Sequence, residues 1–572
     1  MDIVHKGSIV IMLMVLTSTI ASALVVDVSG NGDFIGIQDA INASNEGDEV
    51  LVNEGIYYER LIINHSIHLV GNNAIIDGSG KCGPIINITA SNVTLEGFKL
   101  INCDDNNGDY GAIELWSDEC QLLNNTICNN FGHGIYIIYS HNTAVIGNCV
   151  RENGGQGIRV VNSNNNDLLN NEICCNGKSG ITMYNCTGVD LLQNNVSKNS
   201  ECGINLYESS KSELFRNYVE GNMECGIFLD DSWNNAFLEN LVHENGNEGL
   251  ILQNFSSYNF ILQNDVNNST DYGILIIGFC DDNVILGNNL YNNGLSGIGI
   301  YDCRFSTISK NWVFYNSNNG ISIRDGGNNN EITDNVIYGN LRNGIGMEEC
   351  NGNFLQNNNI SENLNGIVMD ESNNNTLVDN EVYKNAFGIQ LVFSKNVVLA
   401  ANDIHNNTKN GIQLNHCSNN KLLKNTIYYN SVDAIHLADS SRIIVSDNDI
   451  FSNGHYGIQL LDFSNENMFL YNLVQSCGSG GIYIYEGITN LFLGNILGDN
   501  LEFNAWDNGG NEWAGNYYSD HQGTDLDGND FVDEPYLING HRGAFSVDYN
   551  PSMTTSRMEK GTLAIGGLQD LL

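Results

Sequence analysis

Proline is nearly absent from this sequence: three residues, Pro84, Pro535 and Pro551, against 61 glycines in 572 positions. Proline cannot donate to a β ladder, so its scarcity disfavours Pro-rich linkers between domains and suits a chain that turns often within an unbroken sheet. Basic residues are scarce as well. The 23 Lys and Arg stand against 67 Asp and Glu, a net charge of −44, which argues against nucleic acid or an anionic membrane as the main partner. Beyond the N-terminus no run reaches the roughly 18 apolar residues that a membrane helix needs. The 15 cysteines contain no Cys-x-x-Cys pair, and the 12 histidines form no His/Met/Cys cluster along the chain, so neither a zinc knuckle nor a soft-metal site is expected. The 41% hydrophobic content is enough for a core, so acidity does not imply disorder.

At the N-terminus, Lys6, the apolar run Ile9 to Leu16 and the small residues Ala21-Ser22-Ala23 read as a secretory signal over residues 1–23. Export, and no membrane span after cleavage, are the expectation. Residues 24–48 then hold a short amphipathic helix around Ile37, Ala40 and Ile41, with Asp33 as its N-cap.

What the sequence has in abundance is repetition. Gly followed by an apolar residue recurs at Gly134, Gly157, Gly180, Gly203, Gly226 and Gly249, and on through Gly273, Gly297, Gly320, Gly344, Gly366, Gly388, Gly411, Gly457 and Gly481. Gly111-Ala112 opens the series and Ala434 fills the register that lacks Gly, giving about 23 residues per unit. Each unit repeats one grammar. Apolar-x-apolar follows Gly, as in Ile227-Phe228-Leu229; a small residue comes six after Gly; a second apolar site follows; then comes Asn-x-apolar, as in Asn217-Tyr218-Val219. A second Asn recurs about five residues later, as at Asn222 and Asn245. Three short strands in about 23 residues make one coil of a parallel β-helix, in which like residues stack at about 4.8 Å and can form Asn ladders.

This repeat resembles the right-handed parallel β-helix of the pectin-lyase-like superfamily, in particular its NosD-type, carbohydrate-associated repeats. The resemblance covers most of the chain and implies an all-β solenoid of about 20 coils over residues 49–500, plugged by the N-terminal helix. A different grammar over 501–551, beginning at Asn511-Glu512-Trp513, is similar to the terminal module of NosD-type proteins, and 552–572 is a tail. In that module Asp525, Asp527 and Asn529 alternate and Asp533 follows, oxygen ligands that suit a hard cation such as Ca²⁺. The EF-hand frame is broken, with Asp530 in the glycine position and Tyr536 in that of the bidentate Glu, so a plain cap is the competing reading.

Five residues after Gly the units carry a column of acids: Glu208, Asp231, Asp302, Asp325, Glu349, Glu371, Asp439, Asp462 and Glu486. Asp230, Glu348 and Asp370 join from the preceding position, with Arg324 among them. Three readings are open. The column is a solvated acidic face; or it binds cations or glycan, with Tyr184, Tyr207 and Tyr301 as stacking platforms; or Arg324, Asp325, Glu349 and Glu371 belong to a polysaccharide lyase, glycoside hydrolase or epimerase site, since stacked carboxylates approach glycosidase separations. The expected function is an exported, rod-like surface protein that binds or organises carbohydrate or envelope components, or assembles with itself, without catalysis. Among the cysteines, Cys186, Cys303, Cys350 and Cys417 fall in the small inward column and read as packed thiols, whereas Cys202 and Cys225, one unit apart, can pair across coils.

Overall fold

The computed structural model describes residues 23–80, 82–104 and 110–555. Residues 1–22 of the expected signal segment and 556–572 of the expected tail lie outside the described residues. The chain winds into a parallel β-helix of about 21 turns, a rod roughly 100 Å long at about 4.8 Å per turn.

One coil shows why these residues wind this way. Its strands are Ile204–Tyr207, Glu213–Phe215 and Tyr218–Glu220, one in each of three sheets that we call first, second and third. Ile204, Leu206, Leu214 and Val219 point inward and are fully buried. Each lies on its counterpart in the next coil: Ile204 on Ile227, Leu214 on Phe237, Val219 on Val242. Three-residue strands bury one or two side chains each, so no coil has a core of its own, and the apolar columns become continuous only through stacking.

The repeated glycine is required by close approach. A Cβ on Gly203 would lie 2.6 Å from the Val219 side chain and 2.7 Å from the Gly226 carbonyl oxygen. In the opening unit the residue in this column is Ala112, since Ile113 pairs with Ile135 and Gly111 with His133. The Gly111 assignment is thus corrected by one residue, and Ala stands in the column both there and at Ala434. Corners are turned by single left-handed residues, for instance Glu208 (φ 50°), Lys211 (φ 57°) and Arg216 (φ 53°). Asn, Asp and Gly enter this region at least cost, which accounts for part of the Asn and Gly excess. It also removes much of the case for selection of the acidic column by a ligand, because Asp231, Asp302, Asp325, Glu349 and Glu371 are all corner residues with φ between 47° and 55°.

The asparagine column between the second and third sheets is a hydrogen-bonded ladder from Asn125 to Asn516. In each step one Asn Oδ1 accepts both the backbone N–H and the Nδ2–H of its neighbour, as Asn194 donates to Asn217 at 3.0 Å in each bond. Its own Nδ2 also donates to a strand carbonyl, Asn217 to Leu191 at 2.7 Å. A buried amide at a corner needs just such an acceptor and donor pair.

The ends differ from the expectation in two details. The helix spans Ile37–Ala43 with Ile37, Ala40 and Ile41 buried, but its N-cap is Gly36. The carboxylate of Glu59 accepts the N–H of Ile37 and Gln38 (2.8 and 2.9 Å), and Asp33 is occupied with the N–H of Val25. At the other end the winding continues past residue 500: Ile482 pairs with Ala505, Phe492 with Trp513 and Leu497 with Tyr518. An antiparallel hairpin, Tyr536–Asn539 with Phe545–Asp548, then closes over the last coil.

Cys202 and Cys225 form a disulfide across adjacent coils. Cys186, Cys303, Cys350 and Cys417 are buried in the small column as expected. Burial pushes the thiols of Cys186 and Cys417 up to about 11 and that of Cys350 up to about 12. At pH 8 only on the order of one in a thousand such thiols is ionised. Iodoacetamide should therefore label exposed Cys82 and Cys175 in the native protein and leave Cys186, Cys350 and Cys417 untouched until it is denatured. Peptide mass spectrometry reads the result; native labelling of Cys186 at the rate of Cys175 would show that the column is not packed.

Candidate functional site

Outward side chains of the first sheet form columns, and one of them narrows midway along the rod. Ile251 and Leu275 are followed by Gly299, Ser322 and Gly346, and then by Val368, all partners in register. Of the three small residues, Gly346 lines a trough of about 330 Å³ together with Val368 and Leu364. Gly346 is needed for its shape, because a Cβ there would come within 2.9 Å of the Asn319 amide nitrogen.

The walls are polar. On one side runs the column Tyr301, Arg324, Glu348, Asp370, each in the coil after the last. The Arg324 guanidinium Nε lies 3.5 Å from Glu348 Oε2, and Asp370 Oδ1 is shielded from solvent without a hydrogen-bond partner. On the other side Asn365 Nδ2 donates to Asn343 Oδ1 (2.9 Å) and the Asn343 backbone N–H donates to Asn319 Oδ1 (3.1 Å), with Arg342 beside them. At one end the hydroxyls of Tyr272 and Tyr301 are 2.7 Å apart with their rings edge to face. Burial and that hydrogen bond push the Tyr272 hydroxyl well above its ordinary value. Two arginines oppose two carboxylates here, so the trough is locally balanced in a chain of net charge −44.

The expected site residues therefore divide. Arg324, Glu348 and Asp370 come together in the trough, with Tyr301 at its end. Asp325, Glu349 and Glu371 sit one residue further on, at the corner; Glu371 lines a separate hollow with Phe393, Lys395 and His416. Asp231 and Asp302 are corner residues as well. Tyr184 is exposed and donates its hydroxyl to Glu208 at 2.8 Å, whereas Tyr207 is half-buried between Tyr184 and Phe228. In the C-terminal module Asp525 accepts the N–H of Gly528, Asn529 and Asp530, Asn529 Nδ2 donates to Asp527, and Asp533 accepts the N–H of Leu526. Against the opposing effect of desolvation, those backbone donors hold the Asp525 carboxyl below its ordinary value.

Arg342, Asn319, Asn343, Asn365 and Tyr272 escaped the sequence reading, and the signal that could have found them is the shrinking column Gly299-Ser322-Gly346. Chemically the trough offers planar amides, guanidinium groups and carboxylates at one-coil spacing, a set that can hydrogen-bond adjacent hydroxyls. Arg324 binds or positions. A guanidinium stays protonated in proteins and abstracts no proton. Elsewhere, the aromatic stacks of the third sheet, Tyr291-Phe314-Tyr338 and Tyr383-His405-Tyr428-Phe451, have neighbouring rings 4.8 to 5.1 Å apart and near parallel. The rings cover one another's faces, so along the stacks they present edges and act as scaffold.

The family described as right handed beta helix region matches residues 179–337, 325–472 and 433–531, together more than half of the sequence. The chain belongs to the right-handed β-helix family. A second family, described as periplasmic copper-binding protein (NosD), matches residues 27–248. No curated protein matches the chain. Among solved structures the Dettilon tailspike protein is 16% identical with a TM-score of 0.39, over 58% of this chain and 64% of the tailspike. A rhamnogalacturonan lyase is 12% identical (TM-score 0.34, 43% of this chain and 82% of the lyase). DFA-IIIase from Arthrobacter chlorophenolicus A6 is 11% identical (TM-score 0.37, 52% and 90%). With scores this low, the architecture is established by the strand register and the family match.

Copper can be tested against the donor set. Among the described residues no three His or Cys side chains converge, and in the NosD-matched stretch Cys120 and Cys186 are buried thiols pushed up to about 11 by burial. Neither of these two thiols is placed to hold Cu(I).

Proposed function

We propose that this protein is an exported rod that binds carbohydrate in the first-sheet trough and does not turn it over. The observation that carries the reading is the trough itself, in which Gly346 and Val368 lie between Arg324, Glu348 and Asp370 on one wall and the Asn319, Asn343 and Asn365 amides on the other. Its balanced charge favours neutral or zwitterionic glycans, since an anionic polymer meets the repulsion of the surrounding acids. Export is supported by the Cys202–Cys225 disulfide and by the periplasmic description of the family that matches residues 27–248. No helix among the described residues is long and apolar enough to cross a membrane. Ca²⁺ at Asp525, Asp527, Asn529 and Asp533 would stabilise the C-terminal module rather than act on the ligand.

The second reading is a glycoside hydrolase or related polysaccharide-cleaving enzyme. It is favoured by the in-register pair Glu348 and Asp370, because carboxyl groups about 5 Å apart suit a retaining mechanism. A glycan array with and without Ca²⁺, followed by calorimetry and product analysis on the best ligand, separates the two. Arg324→Ala and Gly346→Leu should each weaken binding at least tenfold, Asp439→Asn on the corner column should leave it unchanged, and no cleaved product should accumulate. Unchanged affinity in both trough variants would move the site elsewhere, and product release abolished by Glu348→Gln would establish the enzyme.

A further inference from the structure

The third sheet carries a cluster that the trough does not use. Glu220 and His243 are ladder partners in adjacent coils, and Glu244 follows at the corner with φ 55°. In an extended strand residues 243 and 244 would face opposite sides. The left-handed corner at Glu244 breaks that alternation and brings its carboxylate to the outward pair. One ligand atom from each of the three lies within 4.8 Å of the other two. Ligand atoms around a tetrahedral ion stand roughly 3.3–3.6 Å apart for bonds of about 2.0–2.2 Å, so small side-chain adjustments close the three onto one ion.

A separate observation points the same way. His243 Nε2 is shielded from solvent and has no hydrogen-bond partner, an arrangement that costs free energy unless something occupies the nitrogen. The surroundings hold the ligands in place. The Tyr218 ring packs edge-on against His243, with centroids 5.0 Å apart. Gly221 borders the cluster, and the nearest side chain to a Cβ there is Lys198 at 3.6 Å.

We propose that Glu220, His243 and Glu244 form a site for one divalent first-row cation of the Zn²⁺ class, with its remaining positions open to water or to an oxygen ligand of another molecule. Two carboxylates and one imidazole, without thiolate or thioether, do not select Cu(I). The site is independent of the carbohydrate trough and stands or falls separately.

The test uses the tag-free full-length chain, stripped with a chelator and titrated calorimetrically with ZnCl₂, with Co²⁺ visible absorption as a second readout. One equivalent of Zn²⁺ should bind. Glu220→Gln and His243→Gln should each weaken it about 100-fold, and His243→Gln should abolish the Co²⁺ band. Glu244→Gln, at an exposed corner, keeps the test valid if a strand variant misfolds, and should also weaken binding. Asp433→Asn, which disturbs the separate His436 and His455 pair on the first sheet, should leave affinity unchanged. Absence of binding, binding unaltered in all three ligand variants, or equal affinity for Ca²⁺ would overturn the proposal.

Discussion

Asn240→Asp is expected to destabilise the rod more than Asn240→Ala, although Asp is nearly isosteric with the native residue. Asn240 Oδ1 accepts the backbone N–H and Nδ2–H of Asn217 (2.9 and 3.0 Å), and its Nδ2 donates to Leu214 O and Asn264 Oδ1 (2.8 and 2.9 Å). Alanine takes the acceptor from the Asn217 N–H and the amide donor from Leu214 O, while Asn217 Nδ2 keeps Leu191 O and Asn264 Oδ1 keeps the backbone N–H at position 240. At about 1–3 kcal/mol for each of the two groups that lose this partner outright, tempered by local relaxation, the loss is about 3 kcal/mol. Aspartate restores the two accepted bonds but sets a carboxylate oxygen against two oxygens inside the stack, which costs more than leaving the amide out. Guanidinium unfolding gives the order of stability. Hydrogen exchange should show loosening centred on the neighbouring coils, since a solenoid couples mainly nearest neighbours. Should Asp prove no worse than Ala, the donation from Nδ2 would not be what holds the ladder.

The second large effect is expected at the C-terminal end, where the ladder terminates on Asp548. This carboxylate is fully buried and accepts five donors. The N–H groups of Gly515 and Asn550 reach one oxygen, and the N–H and Nδ2 of Asn516 and the Tyr518 hydroxyl reach the other. Asp548→Ala should cost about 3–5 kcal/mol, the range for removing one side of a buried charged network. It should unlock the hairpin first, with red-shifted Trp513 fluorescence and protease cleavage after residue 500 while the rod persists. Asp525→Ala in the surface loop is the comparison and should stay within about 1 kcal/mol. Equal cleavage of both variants would refute the capping role. A pH dependence accompanies it. Burial, reinforced by the Asp548 charge, holds the Tyr518 hydroxyl well above its ordinary value of 10. Below pH 10 the folded and unfolded forms both keep the proton. Above it the unfolded cap ionises and the folded cap does not, so cap stability falls by up to about 1.4 kcal/mol per pH unit. Tyr518→Phe should remove that share of the slope.

Much of the rod is legible in the residues because a β-helix writes its cross-section once per coil. The inward pair Ile204 and Leu206, the close-approach glycine at 203 and the ladder Asn217 each recur at nearly constant spacing, so the period, the strand number and the role of the asparagines can be read without coordinates. The Cys202–Cys225 bond follows from the same spacing. Gly111 stands one residue off the column because the opening unit is shorter between its first and second strands, and adjacent Gly and Ala both satisfy the local pattern.

The outer surfaces are less legible in the residues. The acids one residue past the first strand stand out as a column, yet the left-handed corner that favours short polar residues separates Asp325, Glu349 and Glu371 from Arg324, Glu348 and Asp370. Likewise His243 is one scattered histidine among 12 along the chain, and only the ladder pairing with Glu220 and the turn at Glu244 make it part of a cluster.

Period, inward faces and self-pairing amides were thus determined by the sequence alone, since each depends on a repeated local choice that stacking reproduces. Tertiary structure decided where the outer surface sinks, which charges share a trough and which imidazole meets two carboxylates. Those outcomes depend on differences between coils, and a difference acquires meaning only when the residue one turn away is known.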